Sequence, residues 1–446
     1  MQEVSPHNIK KLAAIGMLGT SIEWYDFYIY GTAAALLFPT LFFPSTLPPF
    51  VALIAAFSTF AVGFVARPIG GIIFGHFGDK LGRKKALVVA LVLMGTCTAG
   101  IGLLPSYATA GIFAPLLLII LRFAQGIAIG GQWGGAVLLI TETAPSHRRG
   151  YYGAFAQAGV CVGIVLANLA FLITSSQLSQ EDFMSWGWRI PFVLSVVLVA
   201  VALYIQLHLE DTPIFRQLQA LAEERAKADA ASNPAPVVSS SPVFDALRSY
   251  PKQIALAAGM FMALQVTFFI TVTFVVAYGS SAAGLGLTRN TMLLAVLIGA
   301  AFMAPSVFWA ASFSDRHGRR GIYIAGALLL AVWIFVFFPL IETKSFPLIV
   351  LGLSVTFILM GFLHGPHAAF LIELFRTKVR YSGASLGYQF GAIIGGGFAP
   401  LIATALVAEF GTTLAVSVYI AIACLITAFC VYLLEETHKR ELHEIE

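Results

Sequence analysis

Apolar residues along the chain form twelve long, continuous runs that polar loops separate. Each run is close to the ~20 apolar residues that a helix needs to cross a bilayer core. The runs do not alternate apolar and polar positions in segments of about ten residues, the pattern of a membrane β-barrel. They predict an all-α polytopic membrane protein with twelve transmembrane helices. The predicted spans are Leu12–Phe38, Val51–His76, Ala86–Leu104, Phe113–Ile140, Tyr151–Thr174, Ile190–His208, Gln253–Tyr278, Met292–Phe313, Ile322–Leu340, Leu348–Leu371, Ala384–Val407 and Thr413–Leu434.

The longest polar segment divides these spans into six and six. It holds the charged triplet Glu223-Glu224-Arg225 and then the Ser- and Pro-rich stretch Ala231–Pro242, a composition typical of flexible linkers. We therefore predict an N-terminal six-helix bundle in residues 1–208, a cytoplasmic linker in residues 209–251 and a C-terminal six-helix bundle in residues 252–446.

Basic residues are distributed unevenly between the two sets of loops. Of 26 Lys and Arg residues, 21 fall on the side of both chain ends, and only Arg189, Arg289 and Lys344 fall in loops on the other side. Because cytoplasmic loops are enriched in Lys and Arg, both termini are predicted to be cytoplasmic. The same distribution explains the net charge of +4 without a nucleic-acid partner.

The composition excludes several classes of protein. Only 11% of the residues are charged, whereas soluble domains carry about 25%. Cys97, Cys161, Cys424 and Cys430 have no metal or disulfide spacing, and the chain has no G-x-x-x-x-G-K-[ST] phosphate loop. We therefore expect no enzyme activity, no cofactor and no metal.

Four charged residues lie inside the apolar runs. Glu23 and Asp26 in the first span are three residues apart, so they share a helix face. A charge at the bilayer centre costs about 2.5–3.5 kcal/mol on insertion scales, so each must face protein or water. Arg122 is the predicted counter-ion of these acids, and Arg67 is predicted either to bind a substrate carboxylate or to pair with Glu23. Two buried cations beside a cavity favour an anionic substrate over a neutral sugar.

The two halves of the chain contain an internal repeat. The pattern D-x-x-G-R-[KR] follows spans 2 and 8, and a Glu precedes an Arg by seven positions after spans 4 and 10. All matches fall in corresponding loops or spans, which supports a repeated six-span unit. The matched residues are Asp79 and Asp315, Glu142 and Glu373, Arg149 and Arg380, Gln157 and Gln389, and Gly163 and Gly395.

Further motifs are concentrated in the N-terminal half. They are Glu23-Trp-Tyr-Asp26-Phe, Arg67-Pro-Ile-Gly-Gly, Gly75-His-Phe-Gly-Asp79, Gly130-Gly-Gln-Trp-Gly-Gly135 and Trp186-Gly-Trp-Arg189-Ile-Pro. With the loop motif and its copy, they resemble the major facilitator superfamily over essentially the whole chain. More narrowly, they resemble its metabolite:proton symporter subfamily, and the motif sequences are most similar to those of the shikimate-transporter-like branch.

The resemblance implies two six-helix bundles that rock about a central site to give alternating access. Members of the subfamily carry citrate, 2-oxoglutarate, shikimate, or proline and betaine. The implied function is proton-coupled uptake of a small organic acid by a monomer in the lipid bilayer of a bacterial inner membrane. Uptake of a zwitterion such as betaine or proline, and uncoupled facilitation, are the alternatives.

The resemblance also suggests a proton site. Related sugar–proton symporters place an Asp on span 1 near an Arg on span 4, and Asp26 and Arg122 match these positions. Our hypothesis is that Asp26 binds and releases the coupling proton, with Glu23 as a second candidate. The alternative is a static ion pair between Asp26 and Arg122 that only fixes helix packing.

Charged residues at the span ends are candidate gating groups. We interpret them as a latch between the bundles, because the positive-inside rule alone does not require fixed Gly and Asp residues; the alternative is that they only determine topology. Glu142 is expected to pair with Arg149, and Glu373 with Arg380. The full set is Asp79, Arg83, Glu142, Arg149, Asp315, Arg319, Glu373 and Arg380.

Polar and aromatic residues within the spans are candidate substrate ligands. For the uncharged members of this set, an interhelical hydrogen bond is an equally good explanation. His364 and His367 in span 10 are interpreted either as a proton relay or as packing residues. The candidate ligands are Arg67, Arg122, Gln125, Gln132, Trp133, Gln157, Gln265, Tyr388 and Gln389.

Overall fold

Twelve long helices make up most of the part of the chain that the structure describes. The computed structural model describes residues 6–81, 83–130, 140–141, 144–209, 242–375 and 380–440, and no β-strand occurs within these ranges. The helices are α1 (Pro6–Leu36), α2 (Pro49–Leu81), α3 (Arg83–Gly102), α4 (Phe113–Gly130), α5 (Arg149–Gln177), α6 (Ile190–Leu209), α7 (Pro251–Ser280), α8 (Arg289–His317), α9 (Arg319–Glu342), α10 (Phe346–Glu373), α11 (residues 380–410) and α12 (Leu414–Leu433).

Each predicted span corresponds to one helix, which confirms the twelve-helix prediction. Within the described residues, ten helices are long and apolar enough to cross a membrane. The other two predicted spans correspond to α1 and to α3, whose apolar part is Val88–Gly102. The predicted fourth span reaches Ile140, but residues 131–139 lie outside the described ranges.

Three helices are interrupted at positions that the hydropathy pattern did not predict. α7 and α11 contain π-helical turns at Ile270–Phe274 and Ala392–Gly397, and α8 is broken at Phe302. Pro305 and Pro400 follow the breaks in α8 and α11. Because proline has no N–H to donate to the carbonyl four residues earlier, each proline prevents a regular helix at these points.

The helices of the two halves meet along a central interface. In the N-terminal half α1 packs on α5 and α2 on α4, and in the C-terminal half α8 packs on α10 and α7 on α11 and α12. Across the interface, α1 contacts α7, α2 contacts α11, and α5 contacts α8 and α10. The charged residues of α1 and α2 therefore lie next to the other half.

The described chain ends lie at the same end of the molecule. Ile9 packs in one apolar cluster with Tyr152 near the start of α5, and Arg149 donates a hydrogen bond to the carbonyl of Arg440. We call this end the terminal face and the other end the opposite face.

Glycines allow the backbones of α2 and α4 to touch. A Cβ atom at Gly70 would lie 1.9 Å from the carbonyl oxygen of Ile127, and one at Gly130 would lie 1.9 Å from that of Arg67. No side chain fits at these distances. This close contact sets the positions of the buried arginines on the two helices.

We therefore expect Gly70→Ala to destabilise the protein, whereas Gly71→Ala has little effect. Overpacking typically lowers the free energy of unfolding by about 1–3 kcal/mol, and here the new methyl group meets backbone that cannot rotate away. A Cβ at Gly71 would lie 3.6 Å from the carbonyl oxygen of Gly130, an ordinary contact. Thermal unfolding of the two purified variants tests this. Equal unfolding temperatures would contradict the close packing of α2 on α4.

Candidate functional site

A chain of hydrogen bonds connects Asp26 to Arg122 inside the N-terminal half. The Thr98 hydroxyl lies 3.1 Å from Oδ2 of Asp26, to which it donates. The Gln125 amide nitrogen donates to the Thr98 oxygen at 2.8 Å, and Nη1 of Arg122 donates to the Gln125 amide oxygen at 2.5 Å. Because a guanidinium can only donate, the Gln125 oxygen must face Arg122, and this fixes the direction of the chain.

The predicted direct ion pair between Asp26 and Arg122 is not formed. Both side chains are described and fully buried, but Thr98 and Gln125 lie between them. Arg122 instead lies over aromatic rings, with its guanidinium carbon 4.0 Å from the ring centroid of Tyr30 and 4.7 Å from that of Phe27. Ring faces stabilise a buried cation because they carry partial negative charge.

Asp26 and Glu23 face different neighbours although they are one turn apart. Tyr25 donates a hydrogen bond to the carbonyl of Pro191 at 2.8 Å and so fixes α1 against α6. Asp26 then faces Thr98 of α3, while Glu23 lines a cavity between the two halves. The two carboxylates therefore have separate positions.

The cavity next to Glu23, which we call the charged cavity, is built by both halves of the chain. Arg67 lies in it with its guanidinium carbon 4.3 Å from the ring centroid of Phe64. Its Nε atom is buried without a hydrogen-bond partner. The charged cavity is lined by Glu23, Trp24, Phe27, Arg67, Ile129, Tyr388 and Gln389. Of the predicted ligands, it thus brings together Arg67, Tyr388 and Gln389.

The other predicted ligands that the structure describes do not line the charged cavity. Gln125 belongs to the hydrogen-bond chain, and Gln157 is half-buried on α5. Gln265 is buried and its amide nitrogen has no partner. Gln132 and Trp133 lie outside the described residues.

The two histidines of α10 are buried in the C-terminal half. The Tyr323 hydroxyl lies 3.1 Å from the carbonyl oxygen of Met260, to which it donates, and 3.0 Å from Nδ1 of His367. Because this hydroxyl has one proton, Nδ1 of His367 carries the hydrogen of the second bond. The ring of Phe261 stacks on His367 at 4.4 Å and lies 4.5 Å from Tyr388, so aromatic contacts link His367 to the charged cavity.

Buried ion pairs join the halves at the terminal face. Arg149 of α5 contacts Glu373 of α10 at 3.0 Å, and Arg319 of α9 contacts the same carboxylate at 3.2 Å. Arg319 also pairs with Asp315 at 2.6 Å. We call Arg149, Asp315, Arg319 and Glu373 the terminal-face ion-pair cluster.

The start of α5 adds backbone hydrogen bonds to this cluster. The N–H groups of Gly150 and Tyr151 each donate to the carboxylate of Asp315 at 2.8 Å. A carboxylate at a helix N-terminus is stabilised by the free N–H groups and by the helix dipole. One acid of the C-terminal half therefore caps a helix of the N-terminal half.

The expected pairing of Glu373 with Arg380 is wrong. Glu373 pairs with Arg149 and Arg319, and Nε of Arg380 donates to the carbonyl of Phe375 at 3.2 Å. The side chains of Asp79 and Arg83, and the whole of Glu142, lie outside the described residues.

Sequence reasoning missed the segment after α12. The Thr437 hydroxyl donates to Glu373 at 2.6 Å, and Glu436 accepts the N–H of Arg319 at 2.8 Å. Partial burial raises the pKa of Glu436, but hydrogen bonds from four backbone N–H groups outweigh this and hold the pKa below its usual value. The available sequence signal was Glu436 itself, an acidic residue two positions after the last apolar span. Its partner at the start of α9 was visible only in the structure.

Known proteins resemble this chain in sequence and fold. The family model "Sugar (and other) transporter" matches residues 12–446. The inner membrane metabolite transport protein YhjE of Escherichia coli is 41% identical, over 99% of this chain and 98% of that protein. The shikimate transporter of E. coli is 38% identical, over 96% of this chain and 95% of that protein. A proline/betaine transporter of E. coli is 32% identical, over 97% of this chain and 85% of that protein.

Solved structures show the same fold at low identity. The xylose transporter XylE of E. coli, in a partially occluded inward-open conformation, has a TM-score of 0.74 and 17% identity over 98% of this chain and 100% of that chain. A D-xylose–proton symporter has a TM-score of 0.72 and 20% identity over 97% of this chain and 99% of that chain. The relatives are transporters and not enzymes, which confirms the expectation from composition. The chain belongs to the sugar (and other) transporter family of the major facilitator superfamily, as a multi-pass inner-membrane transporter of metabolites.

Proposed function

We propose that the protein couples the uptake of a small organic acid to the entry of protons by alternating access. The observation that carries this proposal is the buried guanidinium of Arg67, which lies in a cavity between the halves with an unpartnered nitrogen. A guanidinium presents a planar fork of donors that matches a carboxylate. The names of the relatives support the substrate class, since one is a shikimate transporter.

The balance of buried charge explains how a proton and an anion bind together. Arg67 and Arg122 carry two positive charges, and Glu23 and Asp26 carry two negative charges when ionised. If Asp26 takes up a proton, one positive charge remains uncompensated. A monocarboxylate at Arg67 restores neutrality, and an uncompensated buried charge is costly. Proton and substrate anion therefore favour each other's binding.

Thr98 provides the switch between the two states of Asp26. Its hydroxyl oxygen lies 3.1 Å from Asp26 Oδ2 and 2.9 Å from the carbonyl oxygen of Met94. With Asp26 ionised, the hydroxyl donates to the carboxylate. With Asp26 protonated, the acid donates to Thr98, whose own proton turns to Met94. Gln125 and Arg122 stay in place in both states.

The halves are also in contact at both ends of the molecule. The terminal-face ion-pair cluster joins them at one end, which the distribution of basic residues assigns to the cytoplasm. At the opposite face Ser175 donates to Asn290 at 2.5 Å, and Arg289 lies over the ring of Phe183 at 4.3 Å. We propose that the two sets of contacts break in turn as the central cavity opens to one side and then to the other.

A zwitterionic substrate is the second candidate. Glu23 and Arg67 line the same cavity and present opposite charges, which suits an ammonium and a carboxylate on one molecule. A relative is named a proline/betaine transporter.

Uptake by proteoliposomes tests the proposal. We expect an inward proton gradient to drive accumulation of shikimate or another organic acid above its external concentration, and the external medium to become more alkaline. Glycine betaine and proline serve as competing substrates under the same gradient. Accumulation of betaine alone would favour the second candidate. Equilibration of an organic acid without accumulation would indicate facilitated diffusion instead of symport.

A further inference from the structure

A second cavity between the halves adjoins the charged cavity and has a different chemistry. We call it the neutral cavity, because none of the described residues that line it is charged. Since α1 and α5 both run away from the terminal face, it lies beyond the charged cavity toward the opposite face. Its walls include Tyr28 and Thr32 of α1, Phe60 of α2, Asn168 of α5, and Phe269 and Thr273 of α7.

Three aromatic rings separate the two cavities. Phe27 lines the charged cavity, whereas Phe60 and Phe269 line the neutral one. The ring centroid of Phe27 lies 5.2 Å from that of Phe60 and 5.6 Å from that of Phe269, and the last two are 5.5 Å apart. The rings are therefore in mutual contact and form a partition between the two cavities.

Two buried polar atoms beside the neutral cavity have no hydrogen-bond partner. Asn168 is 3% exposed; its amide nitrogen donates to the carbonyl of Ile164 at 2.9 Å, but its Oδ1 atom has no partner. Tyr28 is also 3% exposed, and its hydroxyl has no hydrogen-bond partner. Unpaired buried polar atoms cost stability, and a ligand that pairs them recovers it.

We propose that the neutral cavity is a subsite for the hydroxyl groups of a hydroxylated carboxylate whose carboxylate binds Arg67. This inference rests on the proposed function. The amide oxygen of Asn168 accepts a hydrogen bond from a substrate hydroxyl, and the Tyr28 hydroxyl donates or accepts one. A trimethylammonium group has no hydrogen to donate, so it leaves Asn168 unpaired. The subsite therefore selects hydroxylated acids over their dehydroxylated analogues and over betaines.

Calorimetric titration of the full-length protein in detergent tests the subsite. The two probes are shikimate and cyclohex-1-ene-1-carboxylate, which share the ring and carboxylate and differ in the hydroxyl groups. We expect the wild type to bind shikimate about tenfold more tightly or better. Asn168→Leu, which keeps the side-chain volume, should weaken shikimate binding about 3- to 10-fold and leave the analogue unchanged. Tyr28→Phe should act in the same direction.

Tyr25→Phe is the matched control. It removes a buried hydroxyl from the same helix, but that hydroxyl bonds Pro191 and does not line either cavity. Its affinities for the two acids should keep the wild-type ratio, even if the variant is less stable.

The outcomes separate the subsite from the proposed function. Any of three results would overturn the subsite. The wild type could bind the two acids with equal affinity, Asn168→Leu could lose affinity for both acids equally, or neither acid could bind. Proton-driven uptake of acids without any preference for hydroxyl groups would keep the proposed function and reject the subsite. Shikimate binding that depends on Asn168, without proton-driven uptake, would do the reverse.

Discussion

Replacing Asp26 by Asn is expected to abolish proton-driven accumulation while exchange of substrate across the membrane continues. The amide keeps the size of the side chain and accepts the hydrogen bond of Thr98, but it cannot take up a proton. A pH difference of one unit supplies about 1.4 kcal/mol per proton, enough for about tenfold accumulation at one proton per substrate. The variant should reach an accumulation ratio of about one in proteoliposomes.

Two comparisons make this test specific. Counterflow of labelled substrate, which needs no proton gradient, should persist in Asp26→Asn and show that the protein is folded and binds substrate. Glu23→Gln should keep coupling to the proton gradient, because Glu23 lines the charged cavity and takes no part in the hydrogen-bond chain. If Asp26→Asn still accumulated substrate against its gradient, the proton site would lie elsewhere.

Glu373→Gln is expected to open the terminal face and stop uptake. Glu373 is fully buried and pairs with both Arg149 and Arg319. Removing its charge leaves two buried guanidinium groups without their shared carboxylate, and breaking a buried ion pair costs about 3–5 kcal/mol. Separation of the halves lets water reach both cations, so the equilibrium shifts to a state open at the terminal face.

Distances between spin labels measure this shift. In a background without the native cysteines, labels at the exposed positions His147 and Arg316 report on the terminal face. We expect their separation to increase in Glu373→Gln. Glu342→Gln is the control, since Glu342 lies outside the cluster and accepts a hydrogen bond from Thr413. An unchanged distance distribution in Glu373→Gln would show that the cluster does not hold the halves together.

The sequence allowed the helices to be predicted because each apolar run is long enough to be one crossing. The breaks in α7, α8 and α11 were not predictable in the same way. Hydropathy stays high through Ile270–Phe274 and Ala392–Gly397, and a π turn changes the hydrogen-bond register without changing polarity. Pro305 and Pro400 were visible signals, but proline alone does not distinguish a kink from a break.

The candidate site was predictable in its charges but not in its contacts. The apolar surroundings of Asp26 and Arg122 identified both as buried charges. Helical periodicity gives the face of a residue and not its depth, so Thr98 was missed. Gln125 was named as a candidate ligand or interhelical hydrogen bond, but its place between Arg122 and Thr98 was not predicted. The predicted pairing of Glu373 with Arg380 was wrong because it relied on their closeness within one loop. The residue it meets in the other half, Arg149, lies 224 positions away in the chain.

The chain from Asp26 through Thr98 and Gln125 to Arg122 lies wholly within one half of the molecule. The charged cavity, in contrast, is completed by Tyr388 and Gln389 of the other half. In the proposed mechanism, the proton site therefore belongs to the N-terminal half alone, whereas the substrate cavity is complete only when the C-terminal half packs against it. Substitutions at Tyr388 or Gln389 are expected to change substrate affinity and to leave the proton dependence of uptake unchanged, while the preference for hydroxyl groups stays with Tyr28 and Asn168 of the N-terminal half.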